Sequence, residues 1–323
     1  VNWSLFHARL HQTLRQRQLL PPHQRILVAV SGGQDSLCLL KLLVDLQSKW
    51  DWTLEIAHCD HCWSTDAGIA DRVREIAQNS HLPFHLITAT IPIAESEAAA
   101  REWRYQSLIE IANKQQFSWL VTGHTQSDRA ETLLYNLIRG SGTDGLQSLT
   151  WRRSLTPEIQ LIRPLLNFSR AETLQVCQQF QLPVWEDTVN QNLKYARNRI
   201  RQQLIPYLQT QFNPQVENNL AQTVEILQAE VKYLEDVTQQ LLHQAISADR
   251  TALDRLHLQK IPLALQRRVI RQFLTQNLNK SPDFAAIEAV VTLINAPNRS
   301  RTSSLSGGAI AEVENSQIVI RNN

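Results

Sequence analysis

The sequence predicts an α/β chain in two parts: a parallel-sheet domain over residues 1–213, then a mainly helical domain over 214–323 ending in a β-hairpin. Three observations carry this. Short apolar runs alternate with amphipathic stretches through the first half, at the spacing of strand–helix units. Beyond Pro214 the strand signal stops and helical periodicity takes over. Near the end, two alternating runs at 309–313 and 317–320 follow Gly307-Gly308. A length of 323 residues suits two domains rather than one.

Taken in order, Leu5, Phe6, Leu10 and Leu14 fall on one stripe of a first amphipathic helix. Strands are expected at 26–30, 54–57, 84–88 and 119–122, each a compact apolar run. Helices are expected between and after them, at 37–46, 69–78, 98–112 and about 128–139. Strands that alternate with helices in this way form a parallel sheet covered on both faces, and such sheets bind ligands at the carboxyl ends of their strands. In the second part, 216–246 reads as one long heptad-like helix, followed by helices at 262–278 and 283–294.

Composition narrows the class. An apolar share of 43% and a charged share of 19% support a buried core and exclude wholesale disorder. No apolar stretch is long enough to cross a bilayer, so no membrane role is expected. Cys38, Cys59, Cys62 and Cys177 are too few and too scattered for a disulfide framework, which points to a reducing cytoplasmic setting. The first 34 residues lack Asp and Glu, as in organellar transit peptides, but the stripe through Leu14 favours an ordinary helix. The chain contains no methionine, so its translational start is not visible. The net charge of +2 divides unevenly: residues 1–150 carry −2 and residues 151–323 carry +4. A uniformly basic nucleic-acid binder is therefore excluded, while a local basic patch is not.

The strongest motif is Ser31-Gly32-Gly33-Gln34-Asp35-Ser36, set between a buried strand and a helix start. Paired glycines allow a sharp turn and close backbone approach, and N–H groups at a new helix N-terminus form an anion cradle. The Gly-Lys-Ser/Thr ending of a Walker loop is absent. Asp35 instead offers a carboxylate for Mg²⁺. After the second strand, His58-Cys59-Asp60-His61-Cys62 invites a metal reading, but no second ligand pair is present, so an active-site rim is the better expectation.

Arg101 and Arg104 share a helix face and are placed to clamp a phosphate, although Glu97 and Arg101 also suit a plain surface pair. A helix beginning near His124 would put His124, Asp128, Glu131 and Tyr135 on one face, with Ala130, Leu133, Leu134, Leu137 and Ile138 on the buried side. Lys194-Tyr195-Ala196-Arg197-Asn198-Arg199-Ile200-Arg201 is a basic stretch, with Ile200, Leu204 and Leu208 as its core stripe. Its arginines suit phosphates or RNA backbone.

The glycine loop resembles the SGGxDS signature of the PP-loop ATP pyrophosphatases. Several further segments are similar to the tRNA(Ile)-lysidine synthetase family: Asp60-His61, Glu97 to Tyr105, Gly123 to Thr132, Leu137 to Leu146, and Asp187 to Arg201 with its Asp187, Asn190 and RNRIR run. The usual Leu-Arg after Asp-His is replaced by Trp63-Ser64. The resemblance covers roughly residues 26–208, and the tail looks like a tRNA-binding appendage.

The resemblance implies a PP-loop nucleotide-binding domain and a cytoplasmic ligase that uses ATP and Mg²⁺. It would join free L-lysine to C2 of the wobble cytidine of a tRNA(Ile) with a CAU anticodon, through an adenylated base. It implies that Ser31, Gly32, Gly33, Gln34, Asp35 and Ser36 hold the ATP phosphates, with Asp35 on Mg²⁺ and Arg197 and Arg199 also on ATP. Arg101 and Arg104 would offset phosphate charge, Asp128 and Glu131 would take lysine, and His124 would meet the adenylate or move a proton. A homodimer is one assembly open to the chain. Two alternatives are a PP-loop tRNA thiolase and a non-catalytic, ATP-gated RNA-binding module. Thiolation needs sulfur-handling cysteines, for which only Cys59 and Cys62 are spaced. Alanine at both positions should leave lysidine formation intact, whereas a thiolase would lose all product in a nucleoside-composition assay of the modified tRNA.

Overall fold

The computed structural model describes residues 3–63, 66–91, 93, 97–185, 192–278 and 280–321. Helix α1 (Leu5–Gln16) precedes four strand–helix units: β1 (Arg25–Ala29), α2 (Gln34–Trp50), β2 (Thr53–Asp60), α3 (Ile69–Asn79), β3 (Phe84–Thr88), α4 (Glu97–Lys114), β4 (Trp119–Val121) and α5 (Gln126–Ile138). A short helix α6 (Thr143–Leu146) leads to β5 (Arg152–Ser154), β6 (Gln160–Ile162) and α7 (Arg170–Gln179). The six strands form one sheet in the order β3-β2-β1-β4-β6-β5. All neighbours are parallel except the β5–β6 pair at the edge.

The expected α/β class is therefore observed, with an additional hairpin-like edge. Strand β5 reads Arg-Arg-Ser and is exposed at all three positions, so it gives no apolar signal in the sequence. Strand β1 shows why a continuous apolar run is needed at the sheet centre. Ile26 and Val28 pack into the cluster with α1, α2 and α7, while Leu27 faces the opposite cluster with Leu108, Ile111 and Phe117. A central strand of a covered parallel sheet is buried on both faces.

Three details of the helices differ from expectation. In α1 the buried positions are His7, Leu10, Thr13 and Leu14, while Leu5 is exposed. In α5 the buried side holds Ala130, Leu133 and Leu134 but ends there, leaving Leu137 and Ile138 at the surface. Helix α5 also starts at Gln126, later than His124, because Thr125 caps it: its hydroxyl accepts from the Asp128 N–H and its N–H donates to Asp128 Oδ2 at 2.7 Å.

After α7 the chain forms α8 (Ala196–Arg199), a π-helical turn (Ile200–Leu204) and α9 (Ile205–Gln211). The π turn accommodates one extra residue. Ile200 and Ile205 are accordingly the buried pair, and Leu204, expected to share that stripe, is only partly covered.

The chain divides into two compact units, residues 1–227 and 228–323. The division falls within α10 (Val216–Ala245), whereas the sequence suggests a boundary at 213/214, just ahead of this helix. The second unit contains the rest of α10, β7 (Ala252–Asp254), α11 (Arg255–Leu258), α12 (Leu263–Asn277), α13 (Phe284–Leu293), β8 (Ile310–Glu314) and β9 (Gln317–Arg321). The terminal hairpin of β8 and β9 is present, and β7 extends it to three antiparallel strands in the order β7-β9-β8. Leu253, Phe273, Leu274, Val290 and Val313 lie in its core. Among the described residues, no helix is long and apolar enough to cross a membrane.

Candidate active site

Strand order 3-2-1-4 reverses direction between β1 and β4, and a crevice at the carboxyl ends of these strands is where such sheets receive ligands. The glycine loop leaves β1 at this point. Gly32 has φ +87°, a conformation that side chains resist, and its carbonyl accepts from Trp185 N–H at 3.0 Å. Ser36 is buried; its hydroxyl donates to the Gly33 carbonyl at 2.8 Å and accepts from Ser31 N–H at 3.2 Å. Helix α2 then starts with Gln34 and Asp35 in its first turn.

The loop that leaves β4 lies directly against this helix start. A Cβ on Gly123 would sit 2.7 Å from the Asp35 carbonyl oxygen and 3.0 Å from Ser36 N. Only glycine permits that approach, which brings the next loop and α5 to the glycine loop.

Three carboxylates then meet one guanidinium. Arg170, the first residue of α7, reaches Asp35 through Nε at 3.3 Å, Asp128 through Nη2 at 3.2 Å and Glu131 through Nη1 at 3.0 Å. Glu131 is 1% exposed and also accepts from Arg201 Nε at 2.7 Å and Nη2 at 2.9 Å. Arg197 lies 3.7 Å from Glu131 and donates to Thr132 Oγ1. Asp35 also accepts from Thr173.

Charges in this cluster respond to burial and to one another. Burial raises the Asp35 carboxyl above its usual range, the Asp128 charge adds to this, and Arg170 and Thr173 only partly oppose it. Burial would also raise Asp128, but Arg170, the Thr125 N–H and Arg197 outweigh it and hold that carboxyl far below its usual range. Burial lowers His124, as do Arg163 and Arg101, so its imidazole is neutral near pH 7. Thr122 Oγ1 lies 2.9 Å from His124 Nδ1. A neutral imidazole serves as a hydrogen-bond partner or proton acceptor rather than as a fixed cation.

The structure thus brings Ser31, Ser36, Asp35, Asp128, Glu131 and Arg197 to one edge of the sheet, with His124 on the loop between β4 and α5. Other expected residues lie elsewhere. Gln34 turns toward α7, donating to the Arg170 carbonyl at 2.8 Å and Thr173 Oγ1 at 3.0 Å. Arg199 is exposed and donates to the Leu193 and Lys194 carbonyls. Arg101 lies over the Tyr105 ring, and Arg104 is exposed. Neither is paired with a carboxylate among the described residues. The Glu97 side chain and the Asp187 to Asn190 motif lie outside the described residues. Cys59 is partly buried, with its thiol pushed up to about 12 by burial, while Cys62 is exposed. Among the described residues no group of three or more His, Cys, Asp or Glu could hold a metal ion.

Two participants were not singled out from the sequence. Arg201 stands four residues after Arg197, a spacing that shares a helix face. Arg170 follows Ser169 in a capping box with Glu172, which marks a helix start but does not reveal that this start returns to α2 and α5.

Fold and site together define a PP-loop nucleotide-binding domain, and the family model for the PP-loop domain matches residues 4–208. A model for the TilS substrate binding domain matches residues 253–313. The chain is 56% identical to a tRNA(Ile)-lysidine synthase of a Nostoc species, over 99% of this chain and 98% of that one. It is also 56% identical to the synthase of a Synechocystis species, over 97% and 96%, and 39% identical to a chloroplastic one of Zygnema circumcarinatum, over 87% and 78%. The chain belongs to the tRNA(Ile)-lysidine synthase family. In fold it is similar to the U34-tRNA thiolase NcsA of Methanococcus maripaludis, with a TM-score of 0.58 at 15% identity, over 69% of this chain and 77% of that one.

The approach at Gly123 yields a sharp expectation. Gly123→Ala should keep the helical circular-dichroism signal yet lower ATP-dependent pyrophosphate release on the order of tenfold or more, because the new methyl group must displace the start of α2.

Proposed function

We infer that this protein ligates lysine to C2 of the wobble cytidine of tRNA(Ile), consuming ATP and releasing pyrophosphate and AMP. The observation that carries the reading is the meeting of the glycine loop with the Asp35, Asp128 and Glu131 cluster at the β1–β4 crevice, in a chain of this family. The cytosine C2 oxygen attacks the α-phosphorus of ATP and pyrophosphate leaves. The lysine ε-amine then attacks C2, and AMP leaves with the electrons of the broken C–O bond.

Ser31, Gly32, Gly33 and Ser36 supply the phosphate cradle, whose N–H and hydroxyl groups suit the β- and γ-phosphates. Asp35 is the carboxylate suited to Mg²⁺, and its proximity to Asp128 favours a cation between phosphate and protein. Bound there, Mg²⁺ would offset charge on the leaving pyrophosphate. Arg197, beside Glu131, is the arginine suited to offset charge at the α-phosphate; Arg101, whose charge reaches His124, is a second, while Gln34, Arg104 and Arg199 are engaged or exposed elsewhere. His124, neutral, hydrogen-bonds the adenylate or accepts a proton. Asp128 and Glu131 orient the lysine amine. The second unit and the basic α8 region are suited to tRNA, and the reaction is placed in the cytoplasm.

Pyrophosphate release measured with each substrate omitted tests the order of steps. Release should require ATP and tRNA and proceed without lysine; release driven by lysine without tRNA would overturn the reading. For the amine site, Asp128→Asn and Glu131→Gln should raise the KM for lysine on the order of tenfold while moving that for ATP much less. Unchanged lysine dependence in both variants would remove the assignment.

A further inference from the structure

Arg170 is the residue the site depends on most and the one the reaction scheme above leaves without a task. All three nitrogens of its guanidinium are engaged, each with a different carboxylate: Asp35, Asp128 and Glu131. Its backbone is fixed as firmly. The N–H donates to Ser127 Oγ at 3.0 Å, and the carbonyl accepts from Gln34 Nε2 at 2.8 Å. The side chain therefore springs from a fixed point and ends at a fixed point.

The amine that attacks C2 must be neutral. Free lysine carries its amine almost wholly as ammonium near pH 7, since its pKa is about 10.4. A bare pair of carboxylates would bind that ammonium well and hold its proton more tightly still. The cluster here is not bare. From α5 come Asp128 and Glu131, and from α2 comes Asp35. Facing them are Arg170 from α7, Arg197 from α8 and Arg201 from the π turn, with neutral His124 on the loop before α5. Three guanidiniums thus stand against three carboxylates. An arginine cannot yield its proton in a protein, so this offset is permanent.

We propose that Arg170 is a positioning residue for the ligation step, balancing Asp128 and Glu131 so that they orient the lysine amine without retaining it as ammonium. The inference rests on the placement of lysine at these two carboxylates. The ammonium gives one proton to water on entering the site. The neutral amine then forms the C2–N bond as the C2–O bond to AMP breaks, and the ligated nitrogen sheds a further proton to water.

This role predicts a split that loss of structure does not produce. In the full-length protein with tRNA and ATP, lysine Kd is measured by equilibrium dialysis with a non-hydrolysable ATP analogue. The ligation rate is measured by rapid quench after adenylation. Arg170→Gln should bind lysine several-fold more tightly and ligate it on the order of tenfold more slowly at pH 7, with the deficit shrinking as pH rises. Arg170→Lys keeps the charge and loses the fork, and should stay close to wild type in both measurements; it carries the test if Arg170→Gln does not fold. Weaker lysine binding in Arg170→Gln, an unchanged ligation rate there, or equal damage in Arg170→Lys would overturn the proposal. If Asp128→Asn and Glu131→Gln leave lysine Kd unchanged, the amine-site reading itself fails. If they weaken lysine while Arg170→Gln does not tighten it, only the role of Arg170 fails.

Discussion

Carboxylates that share one partly dehydrated corner of a protein need cations beside them, and this requirement organises the candidate site. Asp35, Asp128 and Glu131 come from helices that follow different strands, and a single guanidinium touches all three. Breaking a buried pair by removing one partner typically costs about 3–5 kcal/mol, because the remaining charge stays uncompensated. Glu131 is the most deeply placed of the three and has the most arginine partners. Helix α7 and the basic segment around Arg197 are thereby tied to α5, and the glycine loop shares the same bond through Asp35.

The sheet supplies the framework for this meeting. Strand order brings the ends of β1 and β4 side by side, and Gly123 lets the β4 loop lie against the start of α2 with no side chain between them. The glycine loop and the acid cluster are then two sides of one crevice. Burial on both faces of β1 fixes the sheet centre, so the two loops inherit their positions from the core rather than from contacts of their own.

Much of this was legible in the residues. The first four strands and their helices follow from apolar runs, and the glycine loop, Asp35, Asp128 and Glu131 follow from motifs at strand ends. What escaped has physical reasons. Strands β5, β6 and β7 are three residues long, and β5, exposed at every position, lacks the apolar run that marks the equally short β4. Helix α5 begins late because Thr125 and Asp128 form its cap, which puts His124 before the helix rather than on its face. Leu137 and Ile138 follow helical periodicity yet stand exposed, since nothing in the spacing of apolar residues tells where a neighbouring surface ends. Arg170 was hidden for a different reason: its importance lies in a long-range return of α7 to α2, a contact with no local signature.

The π turn at Ile200–Leu204 has a consequence for comparing this chain with its relatives. A π turn holds one more residue than the α turn it replaces, so the helix beyond it is rotated by about 100° relative to an uninterrupted one. Arg197 and Arg201 still reach Glu131, because Arg197 precedes the turn and Arg201 stands near its start. At Ile205, however, the stripe is shifted: Ile205 takes the fully buried place beside Ile200, while Leu204 and Leu208 pack against the same cluster only partly buried. A relative lacking that one residue would offer different side chains to the same surface while remaining easy to align. Equivalence along this helix is therefore a matter of angle as well as of position in the alignment.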